Sequence, residues 1–303
     1  MTKEQWGIRV PLQNGEFVRR SAIDNGILDR TLKPIAEEKY LIIPIIHPID
    51  GAIKFTFIEM PTIETPPRHE QIGGLIILQE DDKILANKIL NSKKSVHTVL
   101  YPTSPVSGEY RTKTFKVLAG IPTTKTLYHE FGRKLQIDIS KAYFSARLAT
   151  ERQRIASQVQ SYELVLDMFA GVGSFPIIIG NRSKLTIAND INPIAIELMQ
   201  TNIKLNHLTN VVPILGNAKN LEKILYPLKF DRIIMNLPMN ASEFLTTIHN
   251  LTKQNTIIHL YSLVESKNEN ISLIKSEFPN SHILERKIRS YSPTSWHTVY
   301  DIK

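Results

Sequence analysis

The C-terminal half of the chain alternates short apolar runs with amphipathic stretches. Asn192 followed by Pro193 is a typical helix start, because the asparagine side chain can cap the first turn and proline fits its first position. Strands that alternate with helices predict an α/β fold with a doubly wound parallel sheet. The predicted strands lie at 164–168, 185–190, 211–216, 231–236 and 256–262, and two final runs at 282–291 and 297–303 predict an antiparallel edge.

The first half of the chain has a different pattern, with shorter β segments and more turn residues. A strand near 7–10, a helix over 15–25 and a strand over 40–46 predict a small α+β unit. Three prolines and two glycines within 60–74 favour a linker there, before a strand at 75–78 and a half-buried strand at 134–139. The predicted domains are therefore residues 1–62, 63–150 and 151–303.

Positive charge is concentrated in one part of the sequence. The chain has 303 residues, a formal charge of +8 and a pI near 9.4. Residues 111–154 contain ten lysines and arginines against three acidic residues, which is nearly the whole excess. This favours a polyanion-binding face in an α+β domain beside the doubly wound sheet, although a solvated basic surface would give the same charge.

Cysteine is absent from the sequence, which excludes disulfides, thiolate metal sites and methylation through a cysteine nucleophile or a cysteine-bound cluster. We expect no metal in the site. No apolar run reaches the roughly 18 residues of a membrane span, and the first residues lack the apolar region of a signal peptide. A soluble, cytoplasmic protein without a membrane partner is expected.

The first predicted strand runs into a glycine-rich loop, Asp167-Met-Phe-Ala-Gly171-Val-Gly173. Glycines let the backbone approach a ligand closely and leave amide groups facing it at a helix N-terminus. A nicotinamide site would need a third glycine near Pro176, and none is present. Asp190 ends the next strand, where a ribose hydroxyl needs an acceptor, so the pattern favours S-adenosylmethionine as cofactor.

Polar or glycine-rich residues follow four consecutive predicted strands, and ligands of open α/β sheets lie beyond the carboxyl ends of the strands. A single such residue would usually be a turn former, but four strand ends together indicate a site. The predicted cofactor-binding residues are Asp167, Phe169, Gly171, Gly173, Asp190, Ile191, Asn217, Ala218, Asn236 and Pro238.

Asn236-Leu-Pro238-Met239 resembles the N-P-P-Y element with which amino-methyltransferases hold an exocyclic amine. It lacks the aromatic residue at the fourth place. An asparagine can donate and accept hydrogen bonds, and the residue before a proline is conformationally restricted, so the loop suits the edge of a planar base. The target is therefore predicted to be a nucleobase.

The combined motifs resemble the archaeal and eukaryotic tRNA (guanine-37-N1) methyltransferases, whose fold is the unknotted, Rossmann-like class I type, along nearly the whole chain. The resemblance implies methyl transfer from S-adenosylmethionine to N1 of guanosine 37 in the tRNA anticodon loop, by a monomer whose N-terminal domain reads the tRNA elbow. The matching segments are 108–111, 118–120, 129–132, 138–148, 151–152, 167–173, 190–193, 235–238, 258–261 and 290–293.

The resemblance also implies roles for individual residues. Glu151 matches the general base, Arg111 the residue that stabilises charge on guanine O6, and Asn236 the residue that holds the base edge. It implies that Tyr143 and Arg147 line the pocket of the target nucleotide, and the basic segment adds Lys113 and Lys116 as predicted substrate contacts. Without the resemblance, Glu151 would equally fit a helix N-terminal glutamate, and Arg111 a phosphate contact or a surface ion pair.

Two departures from the family pattern bear on these roles. Ala146 replaces a common proline, which predicts a looser loop, and Asn217 replaces an aspartate that accepts from the adenine amino group. An amide oxygen can accept the same bond. Three other functions stay open: aminocarboxypropyl transfer in wyosine synthesis, additional methylation of a tricyclic wyosine precursor, and non-catalytic tRNA binding.

Overall fold

The computed structural model describes residues 2–60 and 69–303 and divides the chain into two compact units, Met1–Pro66 and Pro67–Lys303. Most of the expected 60–74 linker, including its three prolines, lies outside the described residues. The boundary expected at 150 falls inside the second unit. The three-domain division stays a prediction, and the packing described below favours grouping residues 125–138 with the C-terminal sheet.

The first unit is a five-stranded antiparallel sheet with one helix. Its strand order is β2-β5-β1-β4-β3, and its core contains Leu32, Ile42 and Phe57. A Cβ at Gly7 would lie 2.8 Å from the Phe57 ring, so only glycine fits at this central position of the sheet. The elements are β1 (Thr2–Pro11), α1 (Gly15–Asp24), β2 (Leu32–Lys33), β3 (Ile35–Ala36), β4 (Tyr40–Ile45) and β5 (Ile53–Glu59). The strands and helix expected in this region are confirmed.

The second unit begins with a four-stranded sheet of order β6-β7-β8-β9. Its elements are β6 (His69–Ile72), β7 (Leu75–Leu78), α2 (Lys83–Ser92), β8 (Thr98–Pro102) and β9 (Phe115–Gly120). The expectation of a linker through residue 74 is wrong for 69–72, because Gly73 and Gly74 form a tight turn that pairs β6 with β7. Gly73 adopts φ +55°, and a Cβ there would lie 2.5 Å from the Leu127 carbonyl oxygen.

A hairpin of β10 (Lys125–Glu130) and β11 (Arg133–Asp138) packs on the C-terminal part of the second unit. Leu135 and Ile137 are fully buried in one cluster with Met199, which belongs to α5 (Pro193–Leu205). Asn202 donates to the Gln136 carbonyl and accepts from its N–H at 2.6 Å, and Asn206 does the same with Lys134. Two side-chain amides therefore hydrogen bond to β11 as a neighbouring strand would.

The C-terminal part is a seven-stranded sheet of order β14-β13-β12-β15-β16-β18-β17, in which β18 pairs antiparallel with both of its neighbours. The first five of these strands are parallel, so the predicted α/β fold with its antiparallel edge is confirmed. Its elements are α3 (Ala149–Gln158), β12 (Leu164–Asp167), α4 (Ser174–Ile179), β13 (Leu185–Asp190), α5, β14 (Val211–Leu215), α6 (Leu221–Leu225), β15 (Phe230–Met235), α7 (Leu245–Ile248), β16 (Thr252–Val264), α8 (Ile271–Glu277), β17 (Ile283–Ser290) and β18 (Trp296–Ile302).

The start of α5 follows the predicted capping pattern, since the Asn192 side chain accepts from the Ile194 N–H at 3.0 Å and Pro193 opens the helix. In the part of the chain that the structure describes, no helix is both long enough and apolar enough to cross a membrane.

Candidate cofactor and nucleobase site

A cavity of about 410 Å³ lies at the carboxyl ends of β12, β13, β14 and β15. This is where an open parallel sheet binds ligands, and the volume is typical of small-molecule sites. The predicted site residues that line it are Phe169, Gly171, Asp190, Ile191, Asn217, Ala218, Asn236, Pro238, Arg111 and Tyr143. Asp167, Gly173, Glu151, Lys113, Lys116 and Arg147 lie outside its lining.

The glycine loop is held in place from beneath by Asp190. The Gly171 N–H donates to Asp190 Oδ2 at 2.7 Å, and the Asn192 N–H donates to Oδ1 at 2.9 Å. Gly171 has φ +57°, which a residue with a side chain rarely adopts. Asp190 therefore shapes the loop as well as facing the cavity, and burial raises the pKa of its carboxyl group.

Gly173 does not line the cavity. It adopts φ +85° at the start of α4, and a Cβ would lie 2.6 Å from Met199 Cγ. The second glycine of the motif is thus required by the close packing of α4 on α5, a role separate from that of Gly171.

Three buried oxygens near the cavity lack hydrogen-bond partners among the described residues: Asp167 Oδ2, Asn189 Oδ1 and Asn236 Oδ1. Burial raises the pKa of Asp167 to about 8, with Asp190 adding to the effect. Buried acceptors without donors are costly, so the two that line the cavity, on Asn189 and Asn236, suit a ligand that brings N–H or O–H groups. Together with the glycine loop, they fit the amino, hydroxyl and ammonium groups of S-adenosylmethionine.

Asn217 follows β14 at the edge of the cavity, as expected for a residue near the adenine. Its Oδ1 already accepts from the Lys219 N–H at 2.9 Å and caps a short helical turn. An amide oxygen has a second lone pair, so a further bond from an amino group can be accepted. Phe169 and Phe244, with ring centroids 5.0 Å apart, supply an apolar wall.

Arg111 and Tyr143 form the opposite side of the cavity. The Arg111 guanidinium lies 5.1 Å from the centroid of the Tyr143 ring, in cation–π geometry. Arg111 has φ +52° in a turn after Gly108, so its backbone is held in a sparsely populated conformation. Backbone strain of this kind is common at functional sites and supports a ligand-facing role for Arg111.

Glu151 is buried in the first turn of α3 and is 6% exposed. Its carboxylate accepts hydrogen bonds from Arg154 and from the Tyr261 hydroxyl at 2.7 Å. Tyr261 follows Leu260, the partner of Met235 in the β15–β16 ladder, so it lies level with Asn236 in the sheet. Glu151 is therefore joined through Tyr261 to the strand that neighbours the one ending before Asn236.

The other predicted substrate contacts lie away from the cavity. Lys116 pairs with Asp81 at 2.5 Å and Arg147 with Glu70 at 3.4 Å, and both basic side chains are exposed. Ala146 begins a short helical turn of residues 146–148.

Several lining residues did not stand out in the sequence, among them Asn189, Asn240 and Phe244. Asn189 directly precedes Asp190 at a strand end, which was a usable signal. Asn240 directly precedes a short 3-10 helix, Ala241–Phe244, that ends with Phe244, and the sequence there has no regular pattern, so only the folded arrangement reveals them.

The parallel sheet, the glycine loop and the unpartnered acceptors together define a class I S-adenosylmethionine-dependent methyltransferase. Residues 126–281 match the TRM5/TYW2 methyltransferase domain, and residues 7–53 match the tRNA methyltransferase 5 N-terminal domain. The chain belongs to the TRM5/TYW2 methyltransferase family.

Individual relatives agree with this assignment. The chain is 34% identical to the tRNA (guanine(37)-N(1))-methyltransferase Trm5b of Pyrococcus abyssi, over 98% of both chains. The crystal structure of Trm5b from Pyrococcus abyssi aligns with this chain at a TM-score of 0.79, over 99% of both chains. A structure of aTrm5 in complex with tRNALeu aligns at 29% identity and a TM-score of 0.75, over 98% of this chain and 99% of that one. The tRNA 4-demethylwyosine(37)-methyltransferase Taw21 of Saccharolobus solfataricus is 35% identical over 78% of this chain and 93% of its own length.

Proposed function

We propose that this protein transfers the methyl group of S-adenosylmethionine to N1 of guanosine 37 in tRNA. The observation that carries the proposal is a cavity whose lining holds both unpartnered acceptors and the Arg111–Tyr143 pair. The match to a tRNA (guanine(37)-N(1))-methyltransferase along the whole chain supports it. The family relation and this chemistry also favour catalysis over non-catalytic tRNA binding.

Guanine N1 carries a proton and is a poor nucleophile until a base removes it. Removal places negative charge on O6, so catalysis needs both a proton acceptor and a cation or hydrogen-bond donor. Glu151 is the proposed acceptor, and Arg111, whose guanidinium faces the cavity, is the proposed donor to O6. Asn236, with a buried free Oδ1, is proposed to hold the base edge through the guanine N–H groups.

When bound, S-adenosylmethionine supplies an electrophilic methyl group and leaves as S-adenosylhomocysteine. Asp190, Asn217 and the glycine loop bind it, with Asp167 beneath them. Glu151 takes the N1 proton so that the N1 lone pair is free to bond to the methyl carbon. Tyr143 supports Arg111 from below and leaves its donors directed at the base.

The proposed partner is tRNA, bound through the basic segment 111–154, including Lys113, Lys116 and Arg147, and through the N-terminal unit at the elbow. We propose that the protein acts as a monomer in the cytoplasm.

The test of the general base is Glu151→Gln, which keeps the shape of the side chain but cannot take a proton at neutral pH. Single-turnover methyl transfer to a transcript tRNA with G37 should slow by at least about a hundredfold, while tRNA and cofactor affinity change little. The product is identified by nucleoside mass spectrometry, with an A37 transcript as the control substrate. N1-methylguanosine formed at a near wild-type rate by the variant would place the base elsewhere.

A second candidate activity is methylation of a tricyclic wyosine precursor, which the similarity to Taw21 favours. The same mass spectrometry on tRNA carrying 4-demethylwyosine distinguishes the possibilities. Methyl transfer adds one carbon to the base, whereas aminocarboxypropyl transfer adds a four-carbon amino acid chain.

A further inference from the structure

The carboxylate of Glu151 is held by three hydrogen-bond donors. Arg154 Nε donates to Oε2 at 2.8 Å and Arg154 Nη2 to Oε1 at 2.7 Å, which is a two-point fork. The Tyr261 hydroxyl donates to Oε1 at 2.7 Å. Glu151 and Arg154 stand three residues apart on α3, so they share one face of the helix.

Arg154 is itself fixed from the far side by Asp301 of β18. Its Nη1 donates to Asp301 Oδ2 at 2.7 Å and its Nη2 to Oδ1 at 3.1 Å. The same Oδ1 lies 2.6 Å from His259 Nδ1. Burial alone would raise the pKa of Asp301, but hydrogen bonds from His259 and Arg154 outweigh it and hold that pKa well below its usual range.

We propose that Arg154, braced by Asp301, is a positioning residue that holds the Glu151 carboxylate in the orientation that accepts the proton from guanine N1. This inference rests on the proposed function, in which Glu151 is the base.

The surroundings of Glu151 assign this role to Arg154. The charged and titratable groups around the carboxylate are Arg154 on α3, Tyr261 on β16 and, behind Arg154, Asp301 on β18. The neighbouring Arg152 points elsewhere, since it pairs with Glu130 and the Ser145 carbonyl. Among the described residues, Arg154 is thus the cation in direct contact with this buried carboxylate, and its two-point fork fixes the orientation of the carboxylate.

The hydrogen bonds continue beyond His259 to two more buried groups. Arg232 lies 2.6 Å from His259 Nε2 through Nη1 and forks onto Glu163 with distances of 2.8 and 2.9 Å. The resulting hydrogen-bond network runs from Glu151 through Arg154, Asp301, His259 and Arg232 to Glu163. Burial lowers the pKa of His259, with the nearby arginines adding to the effect and Asp301 opposing it.

The experiment compares pH profiles of single-turnover methyl transfer for the wild type, Arg154→Gln and Arg154→Lys. The acid limb is the part of the profile in which the rate rises with pH. Loss of the cation should move this limb of the Gln variant to higher pH and lower the single-turnover rate. Arg154→Lys keeps the positive charge, so its acid limb should lie close to that of the wild type. Cofactor and tRNA affinities should stay near the wild-type values.

Glu163→Gln is the matched control, because it breaks the buried two-point pair of Glu163 with Arg232 at the far end of this hydrogen-bond network, where no group contacts Glu151. It should lower stability and leave the acid limb in place. Asp301→Asn should move the limb in the same direction as Arg154→Gln, by less, and it carries the test if Arg154→Gln does not fold.

An acid limb that stays in place in folded Arg154→Gln, or in Asp301→Asn when the former does not fold, would overturn the positioning role. That result differs from failure of the base assignment, in which Glu151→Gln itself keeps a near wild-type rate.

Discussion

At the scale of single residues, Asp167 is the least expected feature of the site. The sequence predicts that this carboxylate ends the first strand of the cofactor sheet, and Asp167 is the last residue of β12. The structure adds that one of its oxygens accepts from the Phe169 N–H at 3.2 Å while the other has no partner among the described residues. With a pKa of about 8, this carboxyl group is mostly protonated at neutral pH in the cofactor-free protein.

This raised pKa makes stability depend on pH in a defined direction. The native state keeps the Asp167 proton above pH 4, where the unfolded chain loses it, so stability from this group is full below pH 4 and is lost as pH rises towards 8. Relative to Asp167→Asn, the cofactor-free wild type should lose up to about 1.4 kcal/mol per pH unit over this range. Urea unfolding of both proteins from pH 5 to 8 measures the difference, and parallel curves would contradict the assignment.

Residue-level prediction placed Asp190 and Asn236 at the cavity, because their location follows from their position at strand ends. It could not reach the environment of Glu151. The spacing of Glu151 and Arg154 is visible in the sequence, but the partner that fixes Arg154 is Asp301, 147 positions further along the chain. A contact made across such a separation has no local signal.

At the scale of elements, the glycine loop and α4 depend on how tightly the chain turns at Gly173. Gly173→Ala should destabilise the protein by about 1–3 kcal/mol from backbone strain alone, plus the displacement of Met199. Urea unfolding monitored by circular dichroism measures this change.

Gly132→Ala is the matched control, because Gly132 has a similar φ of +76° and open space where a Cβ would lie. The strain is then present without the clash, so its cost should be smaller. Equal costs for the two variants would show that contact with Met199 is not what requires glycine at 173.

Element-level prediction followed local patterns and failed where pairing decides the structure. The five parallel strands and the start of α5 were predicted from periodicity and capping. The strand at 69–72 was missed because its short, polar sequence becomes a strand only by pairing with β7. Helix α2 has an Asp82 cap that accepts from the Leu85 N–H, a local signal that the β-rich reading of this region overlooked.

At the scale of the whole molecule, the charge surplus predicts how the protein binds RNA. Affinity for tRNA should fall steeply with salt, and each lost phosphate contact should reduce the slope by about 0.7–0.9. Lys113→Met or Lys134→Met should weaken binding and flatten the slope. Lys116→Met should have a smaller effect, because Lys116 is already paired with Asp81.

Filter binding at salt concentrations from about 50 to about 300 mM measures these slopes. Lys184→Met is the control, since the exposed Lys184 directly precedes β13 at the amino end of the sheet, opposite the cavity, and carries the same charge. A salt-independent affinity, or equal effects of Lys113→Met and Lys184→Met, would argue against RNA binding on the basic segment.

The pairing of Asn202 and Asn206 with β11 also constrains the order of events during biosynthesis. The hairpin emerges from the ribosome 66 to 72 residues ahead of the amides that complete its hydrogen bonds. At a typical elongation rate that is a delay of roughly 3–14 seconds, in which only the earlier part of the cluster around Leu135 and Ile137, with Leu75 and Leu100, has been synthesised. The nascent chain thus carries an incompletely paired strand edge for seconds, and a chaperone or a premature aggregate can engage it there.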